Sequence, residues 1–207
     1  MKTKDKILQT ALKLFNEKGY NNVTTRDIAA EMQISAGNLH YHFKHSEELI
    51  IHFFTHLKLD MDRLLETLKN IPKKNLSSLY NYTQSSCEIL YTYRFIFLNF
   101  VDILRKIPAI ESQYAQLNII RIEEFQSIFK DFQEDRIFKE NIPDFILESL
   151  VTQIFIIGDN WMTFNSLTLK LGKEESIQHY SIIFLNLFYP FLTEEQQYLY
   201  ELNYIKS

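Results

Sequence analysis

The stretch "TTRDIAAEMQISAGNLHYHF" (residues 24–43) decides how this chain folds. Thr24, followed three residues later by Asp27, has the spacing of a helix start in which a hydroxyl and a carboxylate cap each other's backbone. Ile28, Ala29 and Met32 then give one apolar face over barely two turns. "QIS" breaks that pattern, and Ser35 is placed to cap another short helix, carrying Leu39 and Phe43 at i, i+4. Two short helices joined by a tight turn are the layout of a helix-turn-helix.

The flanks extend the pattern. Upstream, Ile7, Leu8, Ala11, Leu12, Leu14 and Phe15 form a stripe at helical spacing, and Gly19 stands where a left-handed cap belongs. Downstream, Ser46, Glu47 and Glu48 mark the start of a long helix. It runs through Leu49, Phe53, Leu57, Met61, Leu64 and Leu68 until Pro72 stops it. Further helices are expected near 76–93, 95–106, 110–132, 143–171, 174–191 and 194–204, with breaks at Pro108, "QEDR", Pro143 and Gly172. Four glycines and four prolines in 207 residues are too few for the turns of a barrel or a doubly wound sheet. The expectation is an all-α protein: an N-terminal three-helix helix-turn-helix domain over 1–56 and a helical domain over 57–207.

Charge divides along the same line. Residues 1–56 hold seven Lys/Arg against six Asp/Glu, and residues 57–207 hold fifteen against twenty, giving +1 and −5 within the net −4. A near-neutral to basic head on an acidic body suggests two jobs. Cys87 is the single cysteine, which excludes an intrachain disulfide and fits a reducing cytoplasm. The opening "MKTKDKILQTALKLF" does not read as a secretory signal, because Lys13 interrupts the apolar residues. The densest apolar run, "IIFLNLFYPF" (182–191), is too short to span a bilayer. A cytoplasmic protein with no membrane partner is expected.

Three segments taken together carry a family resemblance: "ILQTALKLFNEKGYNNVTTRDIAAEMQIS", "AGNLHYHF" and "EEL". Across residues 4–50 the chain resembles the tetracycline-repressor (TetR) family of bacterial transcriptional regulators. The resemblance implies a non-enzymatic, ligand-responsive repressor that binds a pseudo-palindromic double-stranded DNA operator as a homodimer. It assigns DNA contacts to Thr25, Arg26, Ser35, Ala36, Gly37, Asn38, Tyr41 and His42. The residue chemistry agrees. Ala36 and Gly37 leave room for close approach, Asn38 is a bidentate amide suited to adenine, and Thr25 and Arg26 can meet phosphate or guanine. Two positions depart from the family: His40 replaces its usual tyrosine and Ser46 its usual lysine. His40 and Lys44 are retained as DNA-facing candidates, with His45 close by.

Five histidines between residues 40 and 56 raise the rival of an all-α metal-dependent enzyme. His40 and His42, two apart on a helix, diverge by about 200°. His52 and His56 share a face, but "HFFTH" lacks the glutamate of a zinc-protease motif and no third ligand is in view. No metal and no cofactor is therefore expected. A ligand-binding scaffold that has lost DNA binding is the other alternative, which Ser46 keeps open.

The acidic body is crowded with aromatic residues. Tyr91, Phe95, Asn99, Phe125, Phe129, Phe155 and Asp159 are candidates for the wall of a pocket taking an apolar or aromatic effector. Arg94, Asp102 and Asn160 also interrupt apolar stretches and are candidates for orienting it. Segment 177–191 is apolar nearly all round, which asks for burial on two faces. With 143–171 it would form a four-helix dimer interface through Trp161, Ile177, Phe184 and Phe188. The alternative is a helix wholly internal to one chain.

Overall fold

The computed structural model of the chain describes residues 2–205. The first four helices are α1 (Thr3–Lys18), α2 (Thr25–Glu31), α3 (Ala36–His42) and α4 (Ser46–Lys69), with a 3-10 turn, Tyr20–Asn22, after α1. Then come α5 (Leu76–Thr92), α6 (Arg94–Leu98), α7 (Phe100–Lys106), α8 (Pro108–Glu134), α9 (Asp144–Leu167), α10 (Lys173–Asn186) and α11 (Glu194–Tyr200). Among the described residues the single β feature is an isolated bridge between Phe138 and Leu192. The fold is all-α.

Local chemistry accounts for the head. Gly19 takes φ 79°, a conformation that costs glycine no Cβ clash, and ends α1. At α2 the Thr24 N–H donates to the Asp27 carboxylate (2.7 Å), and the Asp27 N–H donates back to the Thr24 hydroxyl (3.2 Å). The turn into α3 places Gln33 at φ 55°, with Gln33 and Ile34 N–H groups closing onto the Ala30 and Ala29 carbonyls at 3.0 Å each. Ser35 then accepts from the Asn38 N–H at 3.2 Å. Behind these caps Ile28, Ala29, Leu39 and Phe43 are buried on Ile7, Ala11, Leu14 and Phe15 of α1 and Leu49, Ile50 and Phe53 of α4.

α4 leaves the head without a break and enters the body, so residue 56 lies inside a helix. The body packs α10 along α5 and α9, with α8 across α9 and α4. The helix expected over 95–106 is two helices. Asn99 stands between them, and its side-chain amide donates to the Phe95 carbonyl at 2.9 Å, a local bond that competes with helix continuation. Pro108 opens α8 instead of preceding it, since a first-turn proline lacks only an N–H that would go unused. α10 ends at Asn186, and Tyr189–Phe191 around Pro190 form a 3-10 turn. Among the described residues no helix is long and apolar enough to cross a membrane.

Candidate functional site

α3 carries one buried and one open face. Leu39 is fully buried and Phe43 nearly so, which fixes the helix to the head. Ser35, Ala36, Gly37, Asn38, His40 and Tyr41 are exposed, and Tyr41 is 85% exposed, unusual for so large a ring. Arg26 and Lys44 are also exposed, while Thr25 and His42 are half-buried. The His40 Nε2 lies 3.2 Å from the Thr25 hydroxyl, so His40 ties α3 to the start of α2. Ser46 is the first residue of α4, flanked by exposed Lys44 and His45.

The other side of the head is joined to the body by specific bonds. The Asn16 amide donates to the Thr92 carbonyl (2.9 Å) and its oxygen accepts from the Phe95 N–H (3.1 Å). The Tyr20 hydroxyl donates to the Asp102 carboxylate, which also accepts from Asn21 (3.1 Å) and pairs with Lys106 (3.2 Å). These donors, Tyr20 foremost, hold the Asp102 carboxyl at about 2. Phe95 sits between Phe15 and Phe53, ring centroids 5.2 and 5.8 Å away. So α6 and α7 grip the head on one side.

On their other side α6 and α7 border a cavity of about 120 Å³. Phe97 and Phe100 come from this pair, Phe54, Lys58 and Met61 from α4, Tyr82 and Leu90 from α5, Tyr114, Arg121 and Phe125 from α8. α9 adds Phe155, Gly158 and Asp159, and Phe184 and Phe188 close the space. The lining is mainly apolar and aromatic, with a few polar groups. Tyr114 donates its hydroxyl to Asp159, and burial pushes the Asp159 carboxyl up to about 6. Arg121 is nearly buried and paired with Asp62 and Glu124, the latter also 2.9 Å from Lys69.

The structure sorts the residues singled out for the body. Phe125, Phe155 and Asp159 meet at the cavity. Phe95 is packed against the head instead, and Phe129 lies in core between Phe125 and Phe138. Tyr91 stacks on Trp161 (6.4 Å) with the Arg94 guanidinium over its ring (4.9 Å), and Asn99 is taken by the Phe95 carbonyl. Asp102 faces the head, and Asn160 bonds its own helix at the Ile156 carbonyl (2.8 Å).

The dimer residues need correction. Trp161, Ile177, Phe184 and Phe188 are all buried inside one chain, because α5 and α9 cover the second apolar face of α10. Trp161 packs on Tyr180 at 4.8 Å, and Phe184 and Phe188 face the cavity. Open apolar surface lies instead on α9, where Phe145, Ile156, Phe164 and Leu167 are 57–75% exposed. At helical spacing these four fall within an arc of about 100°.

Tyr114, Lys58 and Arg121 were not singled out in sequence. Tyr114 and Arg121 belong to α8, whose apolar pattern is weak, and nothing local marks them as inward-facing. The His52 and His56 ring centroids lie 4.2 Å apart at a tilt of 46°, and burial lowers the pKa of His52. Among the described residues no group of three His, Cys, Asp or Glu is placed to hold a metal.

Comparison with known proteins follows the same two-part division. Residues 7–53 match a family model described as bacterial regulatory proteins, tetR family, and residues 57–200 one described as bacterial transcriptional repressor, TetR. The HTH-type transcriptional regulator QacR of Staphylococcus aureus is 31% identical over 133 residues, 63% of this chain and 71% of that protein. A TetR-family transcriptional regulator from Marinobacter aquaeolei superposes with a TM-score of 0.87 at 29% identity, covering 98% of this chain and 97% of its own. A regulator from Saccharomonospora viridis, solved in complex with choline, shares the fold with a TM-score of 0.66 at 22% identity, covering 92% and 98%. With both parts matched in order, the chain belongs to the TetR family of bacterial transcriptional regulators.

Proposed function

We propose that the chain is a homodimeric repressor that holds a pseudo-palindromic operator through α2 and α3 and lets go when a small apolar or aromatic effector fills the body cavity. One observation carries this reading: α6 and α7 border the cavity with Phe97 and Phe100 while bonding the head through Phe95 and Asp102. A ligand that shifts this pair alters how the head sits, and control then needs only unequal affinity for two arrangements. The exposed stripe of Phe145, Ile156, Phe164 and Leu167 on α9 supplies the twofold contact. Thr25, Arg26, Ser35 to Asn38 and His40 to His42, with Lys44, form the DNA-facing set. The protein acts by binding, not catalysis.

The test is selection of bound fragments from genomic DNA at low salt, followed by affinity measurement on the recovered site. Asn38→Ala should cost about 1–3 kcal/mol at one or two base positions if the amide pairs with a base edge. Arg26→Ala and Lys44→Ala should weaken binding and flatten its salt dependence. Failure to recover any preferred sequence, or unchanged affinity in all three variants, would remove α2 and α3 from the interface.

A further inference from the structure

Two charged groups border the cavity without an ion-pair partner among the described residues, Asp159 and Lys58. Asp159 accepts a hydrogen bond from Tyr114, and among the described residues it forms no ion pair. Arg121, the buried cation turned toward the same space, is already satisfied by Asp62 and Glu124. Around the carboxyl stand aromatic rings: Tyr114 meets Phe100 edge to face at 4.9 Å and Phe155 at 6.2 Å. A half-buried carboxylate on a mainly apolar wall with one neutral donor is incompletely compensated, and an apolar guest that displaces water would leave it more so. Aromatic faces and a carboxylate are both attractive to one kind of guest, a desolvated positive charge.

We propose that the effector is an organic cation, an amine or quaternary ammonium on an apolar body, whose charge seats between Asp159 and the rings of Phe100, Tyr114 and Phe155. This rests on the reading that the cavity is the effector site. Lys58 also borders the cavity and makes no ion pair among the described residues, which raises the case for an anionic guest. Its half-buried, flexible stem lets the ammonium turn toward water, whereas Tyr114 fixes the Asp159 carboxyl on the wall. The cation is therefore favoured. Burial has raised the Asp159 carboxyl to about 6, so a bound cation would draw it back to the ionised form and release a proton below that pH. Of the other titratable groups on the wall, Tyr82 is pushed up to about 12, Tyr114 is raised too, and Arg121 stays charged.

Calorimetry on the full chain tests this with three probes: benzyltrimethylammonium, its uncharged isostere neopentylbenzene, and phenylacetate. Wild type should bind the cation about tenfold or more tightly than the isostere, and Asp159→Asn should erase that preference. Cation affinity should fall between pH 7.5 and 5 in wild type but not in Asp159→Asn. Equal binding of cation and isostere, no cation binding, or tighter phenylacetate binding lost in Lys58→Ala would each overturn the proposal. Gly158 separates this from failure of the site itself. A Cβ there meets the Phe184 ring at an ordinary 3.9 Å, so Gly158→Phe is a cavity-filling variant. If the cation shows no preference but isostere or phenylacetate binding disappears in Gly158→Phe, the cavity stands and only the cation assignment falls. If every probe binds Gly158→Phe as well as wild type, the effector site is elsewhere.

Discussion

Gly37 is the second residue of α3, where alanine would be the better helix former by up to about 1 kcal/mol. A Cβ at that position would meet nothing nearer than the Ser35 hydroxyl oxygen at 4.0 Å, so the fold does not require glycine. On the proposed reading, the missing Cβ serves close approach of DNA to α3. Gly37→Ala should therefore raise folding stability by roughly 0.5–1 kcal/mol in urea denaturation while weakening operator binding. A variant equally tight on the operator would mean that this end of α3 stays clear of the bases. Gly37, Asn38 and Leu39 were legible in sequence because cap, turn and helix face are set by residues within a few positions of one another. Asp159 was legible only as a polar residue among apolar ones. Its meaning depends on Tyr114, 45 residues away, and no local pattern supplies that. Cys87 shows the same limit. Fully buried and pushed up to about 12, its thiol is an inert part of the core, which its sequence neighbours do not announce.

Among the helices, periodicity gave existence well and partners poorly. A helix apolar on two faces needs two covers, but the pattern is identical whether the second cover is the same chain or another copy. For α10 the covers are α5 and α9 of the same chain, which is why Phe184 turns inward. The break at Asn99 was missed for a related reason: 95–106 has no proline or glycine, and nothing local shows that the Asn99 side chain bonds back to Phe95 and interrupts the helix. α9 keeps the exposed stripe. Phe164 and Leu167 are 57% and 75% exposed, so charging them removes little core packing, and each monomer should keep its stability to within about 0.5 kcal/mol. Phe164→Glu with Leu167→Glu should accordingly give folded monomers in sedimentation. Operator affinity should drop with them, because a lone head loses the advantage of linked half-sites. Dimers of undiminished affinity would move the interface off this face of α9.

Across the whole molecule, the proposed coupling would run through a narrow set of contacts. The cavity and the head share α6 and α7, and Asp102 gathers Tyr20, Asn21 and Lys106 on the head side of that pair. Core continuity alone would hold the head in place, since Phe15, Phe53 and Phe95 pack together regardless. On the proposed reading, the polar cluster adds contacts that a shift of α7 would make or break. Filling the cavity with Gly158→Phe should act as a built-in guest and weaken operator binding about 5- to 150-fold, the usual span of coupling between linked sites. Asp102→Asn keeps the shape of the side chain but removes the charge that organises the cluster, so alone it should leave the operator affinity close to wild type. Combined, the two should fall short of the sum of their separate effects, because a guest cannot pull through a contact that is already loosened. Anisotropy titrations of the four proteins on one operator measure that difference directly. Strict additivity would show that the signal bypasses Asp102, leaving the apolar seam of Phe15, Phe53 and Phe95 as the route from cavity to head.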